Sequence, residues 1–198
     1  MCRRWTVVCA PKKRSVSCKM PSTRHSTRKG TEPPPATGRR SSVSPTEPAA
    51  YAVLATLVDH EVTLYSPDEQ IKTALANEGR LTEGERAHAD VVHAPEPAAC
   101  PVGDLSRGSL KEPSDGATVV YRVDELGAAS EMQEGGTELV LSGPGVDGRR
   151  RLGVAGFTPA DARALSATQD SYPRGVDAIL TTEGEIAAIP RSVELEVA

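Results

Sequence analysis

A glycine-rich run, Ser142-Gly143-Pro144-Gly145-Val146-Asp147-Gly148, leads directly into three arginines, Arg149, Arg150 and Arg151. Glycines just past a strand let backbone N–H groups approach a phosphate. Guanidinium groups hold phosphate or phosphonate oxygens through paired hydrogen bonds. Gly143, Gly145, Arg149, Arg150 and Arg151 are therefore the candidate ligand-binding set. No Gly-Lys-Ser/Thr follows the glycines and no helix start is evident, so the run is neither a P-loop nor a dinucleotide fingerprint. The plainer readings are a tight turn and a solvated run of charge.

The other chemistry-bearing side chains are dispersed. His60, His88 and His93 have acids nearby, but His88 and His93 are five residues apart, which is not a metal-ligand spacing. They read as surface or structural histidines. Cys2, Cys9 and Cys18 stand near the start and Cys100 stands alone in the body. Their spacing matches no zinc site or disulfide framework. Lys72 and Lys111 are the only lysines after residue 44, and a Schiff-base role for either would require burial. No Ser/His/Asp set, paired carboxylates or ligand cluster can be assembled from spacing, so no catalytic, cofactor or metal residue is assigned.

Charge divides the chain in two. Residues 1–44 carry eleven Lys or Arg and one acid, a net +10, whereas residues 45–198 carry twelve against twenty-six, a net −14. The basic part lacks helix or strand periodicity and is rich in Arg, Ser, Thr and Pro, a composition that cannot offset chain entropy by burial. It reads as a disordered segment. Two other readings are a basic arm for phosphate-bearing or acidic partners and an out-of-frame stretch of a GC-rich gene, which the abrupt change in composition favours. The acidic body with only six aromatic residues in the whole chain fits a protein living in high salt or an ordinary acidic one. No apolar run reaches membrane-spanning length, and the expectation is a cytoplasmic protein.

From residue 45 onward the pattern is that of one domain. Ala49–Asp59 is apolar and helix-forming, and Glu61–Ser66 alternates as a strand. Ser66 followed by Pro67 and two acids predicts a helix to about Ala76, with Ser66 as its cap and Gly79 as its stop. Ala89–His93 is a short strand, and Ala117–Val123 and Glu138–Leu141 are clearer ones. Thr158-Pro159 with Asp161 opens a helix to about Ala167. Val176–Thr182, Glu185–Pro190 and Val193–Val197 read as strand, turn, strand and a further strand. The predicted class is α/β, a mixed sheet with flanking helices.

The terminal run from Tyr172 to Val197, YPRGVDAILTTEGEIAAIPRSVELEV, resembles the end of the PhnH family, in which an aromatic-Pro-x-Gly-hydrophobic-Asp strand is followed by a turn and a strand ending in Ile/Leu-Pro-Arg. Glu138–Val146, Gly116–Leu126 and Ala49–Ser66 are similar to the family in order and spacing. The family's opening amphipathic helix has no counterpart in residues 1–44. The resemblance implies a fold like the large domain of PLP-dependent transferases, but without PLP or any other cofactor. It further implies a homodimeric accessory subunit of carbon–phosphorus lyase with PhnG, PhnI and PhnJ as partners. Their complex transfers ribose triphosphate from ATP to an alkylphosphonate, and an iron–sulfur subunit later cleaves the carbon–phosphorus bond. No membrane or nucleic-acid partner is implied. The alternative function is a stand-alone phosphate- or nucleotide-binding protein using the glycine turn and Arg149–Arg151.

Overall fold

The computed structural model describes residues 47–132 and 135–198; the basic segment lies outside them. The elements run α1 (Pro48–Leu57), β1 (Thr63–Tyr65), α2 (Glu69–Asn77), β2 (Thr82–Glu83), β3 (Val91–Ala94), β4 (Thr118–Arg122), β5 (Glu125–Gly127), β6 (Thr137–Ser142), β7 (Arg150–Ala155), α3 (Pro159–Gln169), β8 (Asp177–Thr181), β9 (Ile186–Ile189) and β10 (Glu194–Val197). Short 3-10 turns occupy much of the stretch between β3 and β4.

These strands form two sheets rather than the single mixed sheet predicted. The first has the order β2-β1-β3-β4-β8-β9. Its first five strands are parallel and β9 returns antiparallel on β8. The second, β10-β6-β7-β5, is antiparallel throughout. The chain enters the second sheet after β4, returns to the first at β8, and leaves it again at residues 190–193, where β10 pairs with β6, Leu195 opposite Leu141. The burial patterns suit this arrangement. All four residues of β3 are buried, as in a parallel strand covered on both faces, whereas Glu194, Leu195 and Glu196 alternate exposed, buried, exposed.

Helices cover one face of the parallel sheet. Ala50, Val53 and Leu54 of α1, at helical spacing, and Ile71 and Leu75 of α2 cluster with Leu64, Val91 and Val120. On the other face Val92, Val119, Tyr121 and Leu180 cluster with Leu165 of α3 and with Leu139, Leu141 and Val154 of the second sheet. Tyr121 and Phe157 supply a tilted ring pair with centroids 5.6 Å apart. None of the described helices is long and apolar enough to cross a membrane.

Local codes place the helix ends, with one correction. Thr158 and Asp161 form the capping box of α3, with Pro159 in the first turn. That helix continues to Gln169. The cap of α2 is Asp68, not Ser66. Its Oδ1 accepts the N–H groups of Gln70 and Ile71 at 2.7 and 3.2 Å. Ser66 stands two residues ahead of the cap position, because the helix starts at Glu69; its Oγ accepts the Asp68 N–H at 3.1 Å and meets His93 Nδ1 at 2.9 Å. Gly79, at φ +71°, ends α2 in the left-handed region that favours glycine.

Candidate functional site

The glycine run is the turn between β6 and β7. Gly143, Gly145 and Gly148 all have positive φ, at +111°, +85° and +69°, and Val146 N–H donates to Gly143 O at 3.1 Å. Gly143 also passes close to the chain before β10, since a Cβ there would meet Ser192 O at 3.3 Å. The arginines do not form a loop patch. Arg150 and Arg151 open β7, opposite Leu141 and Val140, and successive strand residues point to opposite faces. Each guanidinium has a carboxylate: Arg149 pairs with Glu196, Arg150 with Asp147 at 3.5 Å, and Arg151 with Glu138. The sequence reading missed β7 because two charges and Gly153 interrupt its alternation.

The parallel sheet gathers a different set at the carboxyl ends of its strands. Ser66 directly follows β1, His93 lies near the end of β3, and Arg122 closes β4. Their side chains follow the parity of Leu64, Val91 and Val120, which face α1 and α2. Glu47, immediately before α1, completes the set. Ser66 Oγ lies 2.9 Å from His93 Nδ1, and His93 Nε2 lies 3.1 Å from Glu47 Oε2. Arg122 reaches Glu47 Oε1 at 3.7 Å. His93 is fully buried, and Ser66 and Glu47 are 6 % and 9 % exposed. Spacing could not reveal this set, because its members are separated by long stretches of chain and meet only through sheet order. A histidine in the apolar strand VVHA is the one local sign.

The remaining predicted candidates stay apart. The His60 side chain is 81 % exposed, and His88 is exposed as well. Lys72 pairs with Glu69 at 2.5 Å and Glu83 at 3.4 Å. The Glu69 hydrogen bond, above all, holds its ammonium above the ordinary lysine range, which opposes an imine-forming role. Cys100 is buried and burial pushes its thiol up, so it is not a thiolate nucleophile. Among the described residues no group of three or more His, Cys, Asp or Glu side chains is arranged to hold a metal ion. A groove between α3 and β10 has Leu195 and Val197 among its lining residues, with Arg163, Asp170 and Glu196 also present. Its mixed charges select no ligand sign.

The terminal signature has a structural explanation. Asp177 opens β8 and Arg191 follows β9. Arg191 N–H donates to Asp177 Oδ1 at 2.7 Å, and its Nε and Nη2 both donate to Oδ2. The same guanidinium donates to Pro113 O at 2.6 Å and Gly116 O at 3.1 Å. One side chain thus ties the β8–β9 hairpin to the segment entering β4. Gly116 has to be glycine for this: a Cβ would sit 2.3 Å from Arg191 Nη1 and 2.5 Å from Gly175 O.

Comparison with known proteins places the Arg191–Asp177 lock on the β8–β9 hairpin and the buried set of Glu47, Ser66 and His93 inside one matched region. Residues 29–196 match the family model described as bacterial phosphonate metabolism protein (PhnH). The match begins within the basic segment, upstream of the residue-45 boundary read from composition. The chain is 33% identical over 159 residues to the putative C-P lyase subunit protein HtxG of Stutzerimonas stutzeri, covering 76% of this chain and 73% of that protein. It is 25% identical over 159 residues to the alpha-D-ribose 1-methylphosphonate 5-triphosphate synthase subunit PhnH of Rhizobium meliloti (strain 1021), covering 77% of this chain and 76% of that protein.

Proposed function

Because this chain belongs to the PhnH family of bacterial phosphonate metabolism proteins, we propose that it is an accessory subunit of a carbon–phosphorus lyase complex. In this reading it assists the transfer of ribose triphosphate from ATP to an alkylphosphonate, in the cytoplasm, as a homodimer that docks PhnG-, PhnI- and PhnJ-type subunits. The family match over residues 29–196 carries the proposal. The names of the two relatives, one a C-P lyase subunit and one a synthase subunit, support it.

The residues that give the family signature its specificity favour a scaffolding role. Asp177 and Arg191 satisfy each other and two backbone carbonyls, so they hold a hairpin in place rather than face a substrate. The carboxylate already paired with each of Arg149, Arg150 and Arg151 also favours the subunit reading over a stand-alone phosphate binder. Kinship with the PLP-dependent transferase large domain is part of the proposal, with no PLP bound. Under that view, adding PLP produces no imine absorbance, in keeping with the ion-paired state of Lys72.

The test is co-expression of the full chain, tagged, with PhnG-, PhnI- and PhnJ-type subunits, followed by size-exclusion chromatography. Co-elution at a mass greater than that of the chain or its dimer is expected. A chain that elutes apart from all three partners refutes the subunit reading.

A further inference from the structure

The subunit reading leaves Ser66, His93 and Glu47 without a task. Burying three polar side chains together carries a desolvation cost that apolar residues would avoid. They stand, moreover, at a privileged place in the topology. The order β2-β1-β3-β4-β8 is a doubly wound arrangement in which the chain moves outward from β1 in both directions, so β1 and β3 flank the switch point. In open parallel sheets, ligands bind outside the carboxyl ends of the strands at that point. Ser66 directly follows β1 there, and His93 lies near the end of β3.

The hydrogen-bond directions follow from the donors and acceptors present. The Asp68 N–H donates to Ser66 Oγ, which leaves the hydroxyl proton free to donate to His93 Nδ1 at 2.9 Å. A Glu47 carboxylate accepts but does not donate, so the proton at the other end of the ring belongs on Nε2, which faces it at 3.1 Å. Placing it on Nδ1 would aim a ring lone pair at the carboxylate. Hydroxyl to imidazole to carboxylate is the wiring of a base-activated nucleophile. One lone pair of Ser66 Oγ remains unused.

We propose that Ser66 is a base-activated nucleophile for a phosphorus(V) electrophile carrying a good leaving group, such as an activated phosphonate or phosphate ester. The Ser66 Oγ–P bond forms as the bond to the leaving group breaks, and the serine proton passes to His93 Nδ1. Glu47 is a positioning residue that holds the ring in the required tautomer. Phosphorus is favoured over a carbonyl carbon because Pro67, next to the serine, has no N–H. The donor that commonly stabilises an acyl oxyanion is therefore missing from that position, whereas phosphoryl transfer through a loose transition state spreads charge over existing oxygens.

The probe is a small alkyl fluorophosphonate added to the folded full chain, read by intact mass and peptide mapping, with fluoride as the leaving group. One adduct on Ser66 is expected, absent in Ser66→Ala and absent from wild type unfolded in urea. A general base contributes about 10²–10⁴-fold, so His93→Gln should slow labelling at least about 100-fold, and added imidazole should restore part of the rate in His93→Ala. Glu47→Gln should slow it at least about tenfold. No adduct on folded wild type, an adduct that persists in urea, or an unchanged rate in a folded His93→Gln overturns the proposal. If the histidine variants do not fold, the wild-type adduct and its loss in urea decide the question. An acyl adduct from p-nitrophenyl acetate in place of the phosphonyl adduct overturns the choice of phosphorus. None of these outcomes depends on complex assembly.

Discussion

Replacing Arg191 with alanine removes four side-chain hydrogen bonds: two to Asp177 and one each to Pro113 O and Gly116 O. The Arg191 side chain is 15% exposed and Asp177 31%, so solvent compensates the loss only in part. Hydrogen bonds to charged groups contribute roughly 1.5–3 kcal/mol each, and the four share one guanidinium and are not additive. A total of about 3 kcal/mol is the working value, near the low end of the roughly 3–5 kcal/mol expected for breaking a buried pair. For a domain of this size each kcal/mol lowers the melting midpoint by about 2–4 °C, so Arg191→Ala should lower it by about 6–12 °C. Urea unfolding should show a lower midpoint with an unchanged slope. Arg191→Lys keeps the charge but not the planar fork, and should recover less than half of the loss. A double-mutant cycle with Asp177→Ala should return a coupling energy of about 1–3 kcal/mol. An Arg191→Ala chain destabilised by less than about 0.5 kcal/mol, the level of an ordinary surface change, would show that the lock does not hold the hairpin.

Three further outcomes follow from neighbouring features. Gly116→Ala places a Cβ against Arg191 Nη1 and Gly175 O, and should cost about 1–3 kcal/mol in denaturant unfolding; in the Arg191→Ala background the penalty should shrink, because one of the two clashes is gone. Changing Arg149, Arg150 and Arg151 together to alanine breaks exposed ion pairs worth about 0–1 kcal/mol each, and calorimetric titration with inorganic phosphate should show the same heat for the triple variant as for wild type. Cys100 has its thiol raised by burial. A group whose folded pKa is raised adds stability below the ordinary thiol pKa and loses it as pH climbs through the folded value. Iodoacetamide at neutral pH should therefore spare Cys100 by peptide mapping in the folded chain and modify it in urea; equal modification in both would refute its burial.

Elements with codes carried by adjacent residues were readable from the sequence. Thr158, Pro159 and Asp161 specify the start of α3, and ATVVYRV reads as a strand without its neighbours. Ser66 shows the limit of that reading. Its sequence context, Ser-Pro followed by two acids, is a cap by every local rule, yet the helix starts only at Glu69, Ser66 stays in the turn after β1 against His93, and Asp68 is the cap. β7 was hidden for a related reason. Arg150 and Arg151 are tolerated at the start of a strand because Asp147 and Glu138 stand beside them, and the Glu138 pairing is set by cross-strand register.

The sequence by itself determined the α/β class, most element positions and, through Tyr172–Val197, the family. It did not determine which strands share a sheet or which side chains meet. Hydrophobic patterning says which face of a strand is buried, but not which edge it will pair with. The departure of β10 to the second sheet, the reach of Arg191 from the end of β9 to the segment before β4, and the meeting of Glu47, Ser66 and His93 all depend on strand order. That order is settled by long-range pairing and closure of the core, so only the tertiary structure could place a hydroxyl, an imidazole and a carboxylate in one line at the end of β1.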